Sequence, residues 1–171
     1  MPFTPFHMGP GILVKGPQQG GFSLITFGLA QVLIDLEPLY VIATGKDFLG
    51  VPGHLHGISH TLLGATLVGF IAGLLGRPLT HLGLRILGQS QFIPVPWRVI
   101  WWSAFFGTYS HLALDAVMHR DVEPFAPWSR WNPLVGLVSV GTLHLFCFAT
   151  AALGTVIYFG LQFRRKVSVG S

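Results

Sequence analysis

Four apolar runs, at residues 22–44, 61–87, 97–118 and 134–163, limit what this chain can fold into. A helix needs roughly 20 residues to cross the hydrocarbon core of a bilayer, so each run is long enough to span it. The breaks between them are rich in Gly, Pro and polar residues: KGPQQGG at 15–21, GKDFLGVPG at 45–53, GQSQFIPVP at 88–96 and HRDVEPFAPWSRWNP at 119–133. This pattern predicts an all-α polytopic membrane protein. About four transmembrane helices are expected, with a short N-terminal helix, re-entrant or not, ahead of them. Residues 1–171 are expected to form a single membrane-embedded helical domain, since no repeat, linker or low-complexity segment divides them.

Composition bears this out by exclusion. The chain is 51% hydrophobic and 9% charged, against about 25% charged in an ordinary soluble domain. Its net charge is +4, yet the basic residues are dispersed at the ends of apolar runs. No basic stripe interleaved with aromatics is present, so nucleic acid is not an expected partner. The cluster Arg164, Arg165, Lys166 predicts a cytoplasmic C-terminus in a cell inner membrane. Four crossings then put Lys15, Arg77, Arg85 and Arg98 on the same side and leave Lys46, Arg120 and Arg130 outside. Trp97, Trp101 and Trp102, with Trp128 and Trp131, fit interfacial aromatic belts. Gly69 and Gly73 form a GxxxG that permits close helix contact. Cys147 stands in an apolar run and reads as a small buried hydrophobe. The opening MPFTPFHMGPG has no basic leader and does not read as a signal peptide.

Against this background the ionisable residues inside the runs stand out, because a charge at membrane depth is costly and faces a cavity or a partner. In the third run His111, Asp115 and His119 recur at steps of four, which puts them on one helical face. The second run opens with GHLHGISHTLLGA, where His56 and His60 share the same spacing and His54 is offset. Asp35 and Glu37 lie in QVLIDLEPLY. On an unbroken helix they would point about 200° apart, but Pro38 disfavours helical geometry in the residue before it. A helix ending near Leu36 lets both carboxylates turn into one site. His7 sits ahead of the GPQQGG turn, and a hairpin there would run antiparallel to the first long segment and return His7 toward Asp35.

Alternating helix direction brings the outer ends of the first three runs together. His7, Asp35, Glu37, His56, His60, His111 and Asp115 are therefore the candidate ligands of one or two divalent metal ions, Zn, Mn or Fe. His119, Asp121 and Glu123, just beyond them at headgroup level, are candidate general acids or bases. A buried polar network that fixes helix packing is the competing reading of the cluster. His81 and His144 read as structural. No G-x-S-x-G elbow or phosphate-cradling loop is present.

MPFTPFHMGPG, IDLEP, HGISHTLLGA and SHLALDAVMH…PFAPW, in this order, resemble the blocks of the predicted bacterial inner-membrane metal-dependent hydrolases, of the LexA-regulated membrane-bound type. The resemblance runs to about residue 133. It implies that His7, the pair Asp35 and Glu37, His60, and His111 with Asp115 carry the family's metal site. Here the third block reads HLHGISH, with His56 where the family often has Arg. The expected function is a membrane-embedded metal-dependent hydrolase that acts on an ester or phosphoester of a lipid or lipid-linked substrate through a metal-activated water. A second copy of the chain is an allowed partner. The rival expectation is a non-enzymatic haem-binding, metal-binding or ion-transport membrane protein using the same cluster.

Overall fold

The structure, a computed structural model, describes residues 5–46 and 54–169. Met1–Thr4 of the N-terminal block and residues 47–53 of the second break lie outside them. Every regular element among the described residues is helical. A single 3₁₀ turn at Pro5–His7 leads into α1, Met8–Gln18. Lys15 Nζ then donates to the carbonyls of Gln19 at 2.6 Å and Phe22 at 2.7 Å, tying down the turn that reverses the chain. Ser23 caps α2, Leu24–Ile34, by accepting the Thr26 amide at 3.2 Å.

Asp35 interrupts the helix before α3, Leu36–Thr44. Pro38 explains the position. It has no N–H for the Ile34 carbonyl four residues back, and its ring would collide with that carbonyl in a continuous helix. Helix α2 thus ends at Ile34, two residues before the end expected near Leu36, and Glu37, expected outside helical geometry, lies in the first turn of α3. The remaining helices are α4, Leu62–Ile86, α5, Trp97–Met118, and α6, Val140–Val169.

Helices α2, α4 and α5 pack together as the core. Ala30, Ala72 and Ala104, one from each, are fully buried where they meet, and residues this small let the backbones approach closely. The GxxxG of α4 has the same use: a Cβ on Gly69 would strike the ring of Phe105, and one on Gly73 the ring of Trp101. Arg77 lies over Trp97, 4.5 Å from the ring centre. Nearer the acidic end, Ile34, Ala65, Leu112, Ala116 and Val122 close a second apolar cluster.

The N-terminal helix lies chiefly along α6, with a smaller contact to α2. Glycines set this contact. A Cβ on Gly9 would collide with the Cys147 carbonyl, one on Gly154 with the Ile12 carbonyl, and one on Gly16 would come 2.8 Å from the Gly154 carbonyl oxygen. Leu114, Leu143 and the buried Cys147 join α6 to α5.

Among the described residues three segments, Leu24–Thr44 (α2 with α3), Leu62–Ile86 and Val140–Ser168, are long and apolar enough to cross a membrane, fewer than the four expected. The run at 97–118 does form a helix of 22 residues. Its hydropathy is diluted by Arg98, Ser103, Thr108, His111 and Asp115, most of which α5 buries against its neighbours. The last helix also begins at Val140 rather than near 134, because residues 132–134 belong to the preceding loop. There the Asn132 side-chain amide donates to the carbonyls of Ala116 at 2.9 Å and Val122 at 3.1 Å.

Gly154→Ala forces α1 off α6 and is expected to cost about 1–3 kcal/mol, as overpacking does. Gly160→Ala, where no atom lies within 4 Å of a new Cβ, serves as its control. Thermal unfolding in detergent should show a lower midpoint for the first variant and an unchanged or slightly higher one for the second.

Candidate metal centre

The break at Asp35 turns its carboxylate toward α5. Asp35 Oδ1 lies 3.1 Å from His111 Nε2 and 3.8 Å from His60 Nε2. Asp115, one turn beyond His111, places Oδ2 3.1 Å from His111 Nε2 and 3.1 Å from His60 Nε2. All four side chains are buried, and one potential ligand atom from each falls within 4.8 Å of all the others. His60 joins them because the 3₁₀ turn at Ile58–His60 and the Thr61 cap of α4 aim it inward.

The outer faces of these imidazoles are also occupied. His111 Nδ1 lies 2.6 Å from Gln31 Oε1, and Gln31 Nε2 donates to the Gly107 carbonyl at 3.1 Å. With the amide so oriented, His111 must donate from Nδ1, and its neutral form presents the Nε2 lone pair to the two carboxylates. His60 Nδ1 has the Ser59 hydroxyl at 2.9 Å. Lone pairs facing carboxylate oxygens at 3.1 Å repel unless a proton or a cation lies between them. Two imidazoles and two carboxylates converging in this way are the donor set of a borderline divalent ion, and held outer nitrogens are the usual support of metal-ligating histidines.

A second set shares Asp115. His56, Asp115 and His119 also bring ligand atoms within 4.8 Å of one another. His56 Nε2 is 3.8 Å and His119 Nε2 3.9 Å from the Asp115 oxygens. His119 Nε2 is buried with no hydrogen-bond partner, and so is Nδ1 of His7, whose Nε2 reaches Asp115 Oδ1 at 3.5 Å. Buried nitrogens of this kind cost free energy unless some group satisfies them. The rings interlock, with centroids of His56 and His119 4.4 Å apart and those of His7 and His111 4.5 Å apart. The first set thus offers four protein donors and the second three.

The loop after α5 holds the second set in place. Asp121 Oδ2 accepts from His56 Nδ1 at 3.0 Å and from the amides of Leu55 and His56 at 3.0 and 3.1 Å. Burial opposes charge on Asp121, but the hydrogen bonds from His56 prevail and hold its carboxyl below the usual carboxylate range. Burial pushes His56 below the usual histidine value, toward the neutral form that coordinates metals. Beside His56 opens a groove of about 390 Å³ lined by His54, Ile58, Leu63, Glu123, Pro127 and Arg130 among others.

Glu37 behaves differently from Asp35. Its two oxygens accept the backbone amides of Ile58 at 3.1 Å and Ser59 at 2.6 Å, so it fastens the turn that carries His60 and is absent from both convergent sets. Asp121 likewise grips His56, and His119 joins the ligand atoms of the second set. His54 lines the groove. His81 accepts the Val95 amide at 3.1 Å, and His144 stacks on Phe6 with ring centres 4.8 Å apart. The sequence reading passed over Gln31. Its signal was available: a lone polar residue one turn before Asp35 on the same helical face.

Replacing Glu37 tests its role directly. Glu37→Ala strands two amides, at about 1–3 kcal/mol for each buried unpaired group, whereas Glu37→Gln retains one acceptor and should lose about half as much. Thermal unfolding of the two variants in detergent reads the difference; equal midpoints for Glu37→Ala and the unmodified protein would contradict it.

No curated protein and no solved structure matches the chain. A family model does, the YdjM inner membrane protein, over residues 11–169. The match takes in α2 to α6 and every member of the two convergent sets. The chain belongs to the YdjM inner membrane protein family.

Proposed function

We propose that this protein is a membrane-embedded metal-dependent hydrolase that cleaves an ester or phosphoester of a lipid or lipid-linked substrate. One observation carries the proposal: imidazoles held from outside turn their inner nitrogens onto buried carboxylates, in two sets joined by Asp115. Asp35, His60, His111 and Asp115 would hold one divalent ion, Zn, Mn or Fe. His56, His119 and the shared Asp115 would hold a second, with His7 beside them. Four protein donors make a closed site and three leave a coordination position open. The open one borders the groove. A metal bound there supplies Lewis acidity and acidifies water near neutral pH.

The rest falls to the chain's own side chains. Gln31, Ser59 and Asp121 hold the rings so that Nε2 faces inward. Glu123, on the wall of the groove, is placed to take a proton from water and return it to a leaving group. His119 and Asp121, the other candidate acid–base residues, act in this reading through the second set, as ligand and as holder of His56. Ile58 and Leu63 give the groove an apolar wall and Arg130 a cation, a combination suited to an amphiphile with an anionic phosphoester. With the C-terminus cytoplasmic, the groove opens toward the outer side of an inner membrane. Supporting hydrolysis over the haem reading, the five imidazoles pack on one another and on carboxylates, which leaves no flat slot for a macrocycle.

Elemental mass spectrometry of detergent-purified protein tests the proposal. The protein should carry about one or two first-row metal ions per chain, and Asp35→Ala and His111→Ala should lose them. Gln31→Leu removes the outer support of His111, together with one hydrogen bond to the Gly107 carbonyl, and should weaken metal affinity about 10–100-fold. Hydrolysis of a chromogenic phosphodiester or ester in mixed micelles should fall in the same order. Protein that stays metal-free after re-addition of Zn, Mn and Fe would overturn the reading.

A further inference from the structure

At the other end of the bundle, remote from the candidate metals, lies a cavity of about 400 Å³, a volume within the range of small-molecule sites. We infer that it binds one anionic glycerophospholipid, with the phosphate at Lys15 and Arg165 and an acyl chain along the apolar wall. Three observations carry this.

The first is charge. Lys15, Arg77, Arg85, Arg98 and Arg164 to Lys166 all belong to this end of the helices. The described acidic residues, Asp35, Glu37, Asp115, Asp121 and Glu123, all sit at or next to the metal centre. Among the described residues no carboxylate lines the cavity, while Lys15 and Arg165 do. Lys15 is half-buried, and its two hydrogen bonds go to carbonyls, which fix the ammonium in place and leave its charge uncancelled. A cationic cavity walled by low-dielectric side chains attracts an anion more strongly than an open surface does.

The second is the arrangement of donors. Tyr158, Gln162 and Arg165 follow one another at i, i+4 and i+7 on α6, a single helical face, and all three line the cavity. Gln162 Nε2 reaches Gln19 Oε1 at 3.2 Å, so the stripe lies against the turn that Lys15 secures. The Gln162 amide also donates to the Tyr158 hydroxyl at 3.4 Å, so it holds that hydroxyl, whose own proton stays available, in line with the Arg165 guanidinium. This pair of donors suits a phosphate with its glycerol.

The third is the apolar share of the lining. Phe22, Leu84, Leu87, Phe92 and Val99 are apolar, which free phosphate or a sugar phosphate would leave unused. A lipid uses both kinds of lining. The inference does not depend on the hydrolase reading, since it shares no residue with either ligand set.

Native mass spectrometry of the full chain in detergent, with phosphatidylglycerol or phosphatidylcholine added, reads lipid retention directly. One phosphatidylglycerol per chain should be retained in preference to phosphatidylcholine. Each juxtamembrane cation contributes enough to change binding about fivefold, so Arg165→Gln should cut retention by about that factor. Tyr158→Phe, which removes one hydroxyl, should cut it less. Lys46→Gln, the same change of charge near the other end, should leave it unaltered. Equal retention of the two lipids, or equal retention by Arg165→Gln and Lys46→Gln, overturns the inference. So does binding of glycerol 3-phosphate with no retained lipid, which would make the site one for a soluble anion.

Discussion

Two buried carboxylates, Asp35 and Asp115, impose the largest demand on this fold. Each lies among apolar helices where an uncompensated charge would be untenable, and their oxygens share imidazole partners. Much of the surrounding architecture follows from meeting that demand. The helix breaks so that Asp35 can turn, Glu37 clamps the turn that delivers His60, and the loop after α5 folds back to place Asp121 on His56. Small residues at Ala30, Ala72 and Ala104 bring the three core helices close enough for side chains from different elements to meet.

Polar groups are layered around this point. Innermost are the carboxylates, then the imidazoles, then an outer ring of acceptors and hydroxyls supplied by Gln31, Ser59 and Asp121. A packing network alone would be satisfied by any arrangement that pairs donors with acceptors. Here the outer nitrogens of His56, His60 and His111 are committed and their inner ones face carboxylate oxygens, while His7 Nδ1 and His119 Nε2 are buried without hydrogen-bond partners. Those two nitrogens are what a packing network alone leaves unexplained.

Much of this could be read from local pattern. The steps of four along α5 put His111 and Asp115 on one face, and Pro38 announced a break in the first long segment, though the residue before it stays helical. Longer-range features could not be read so. Glu37 and Asp35 look alike in the sequence, and only the return of residues 58–59, which brings two amides to Glu37, separates their roles. The grip of Asp121 on His56 joins residues 65 apart, a distance that no periodicity spans. The partner of α1 was equally hidden, because glycines at 9, 16 and 154 announce close contacts without naming the surface they meet. In α5 the polar residues that mark the site are the ones that lower its hydropathy, so the signal for chemistry weakened the signal for a span.

The separation between Gln31 and His111, 80 residues along the chain, has a consequence for biogenesis. Translation delivers the first hydrophobic segment to the insertion machinery long before α5 has been synthesised. Until then Asp35 lacks His111, and before residues 58–60 emerge it also lacks His60 and Glu37 lacks its two amides, while an Asp at the centre of an inserting helix costs roughly 2.5–3.5 kcal/mol. A segment in that state costs least with its carboxylate end near the aqueous boundary, so pairing its carboxylates and seating it in a bilayer are energetically coupled.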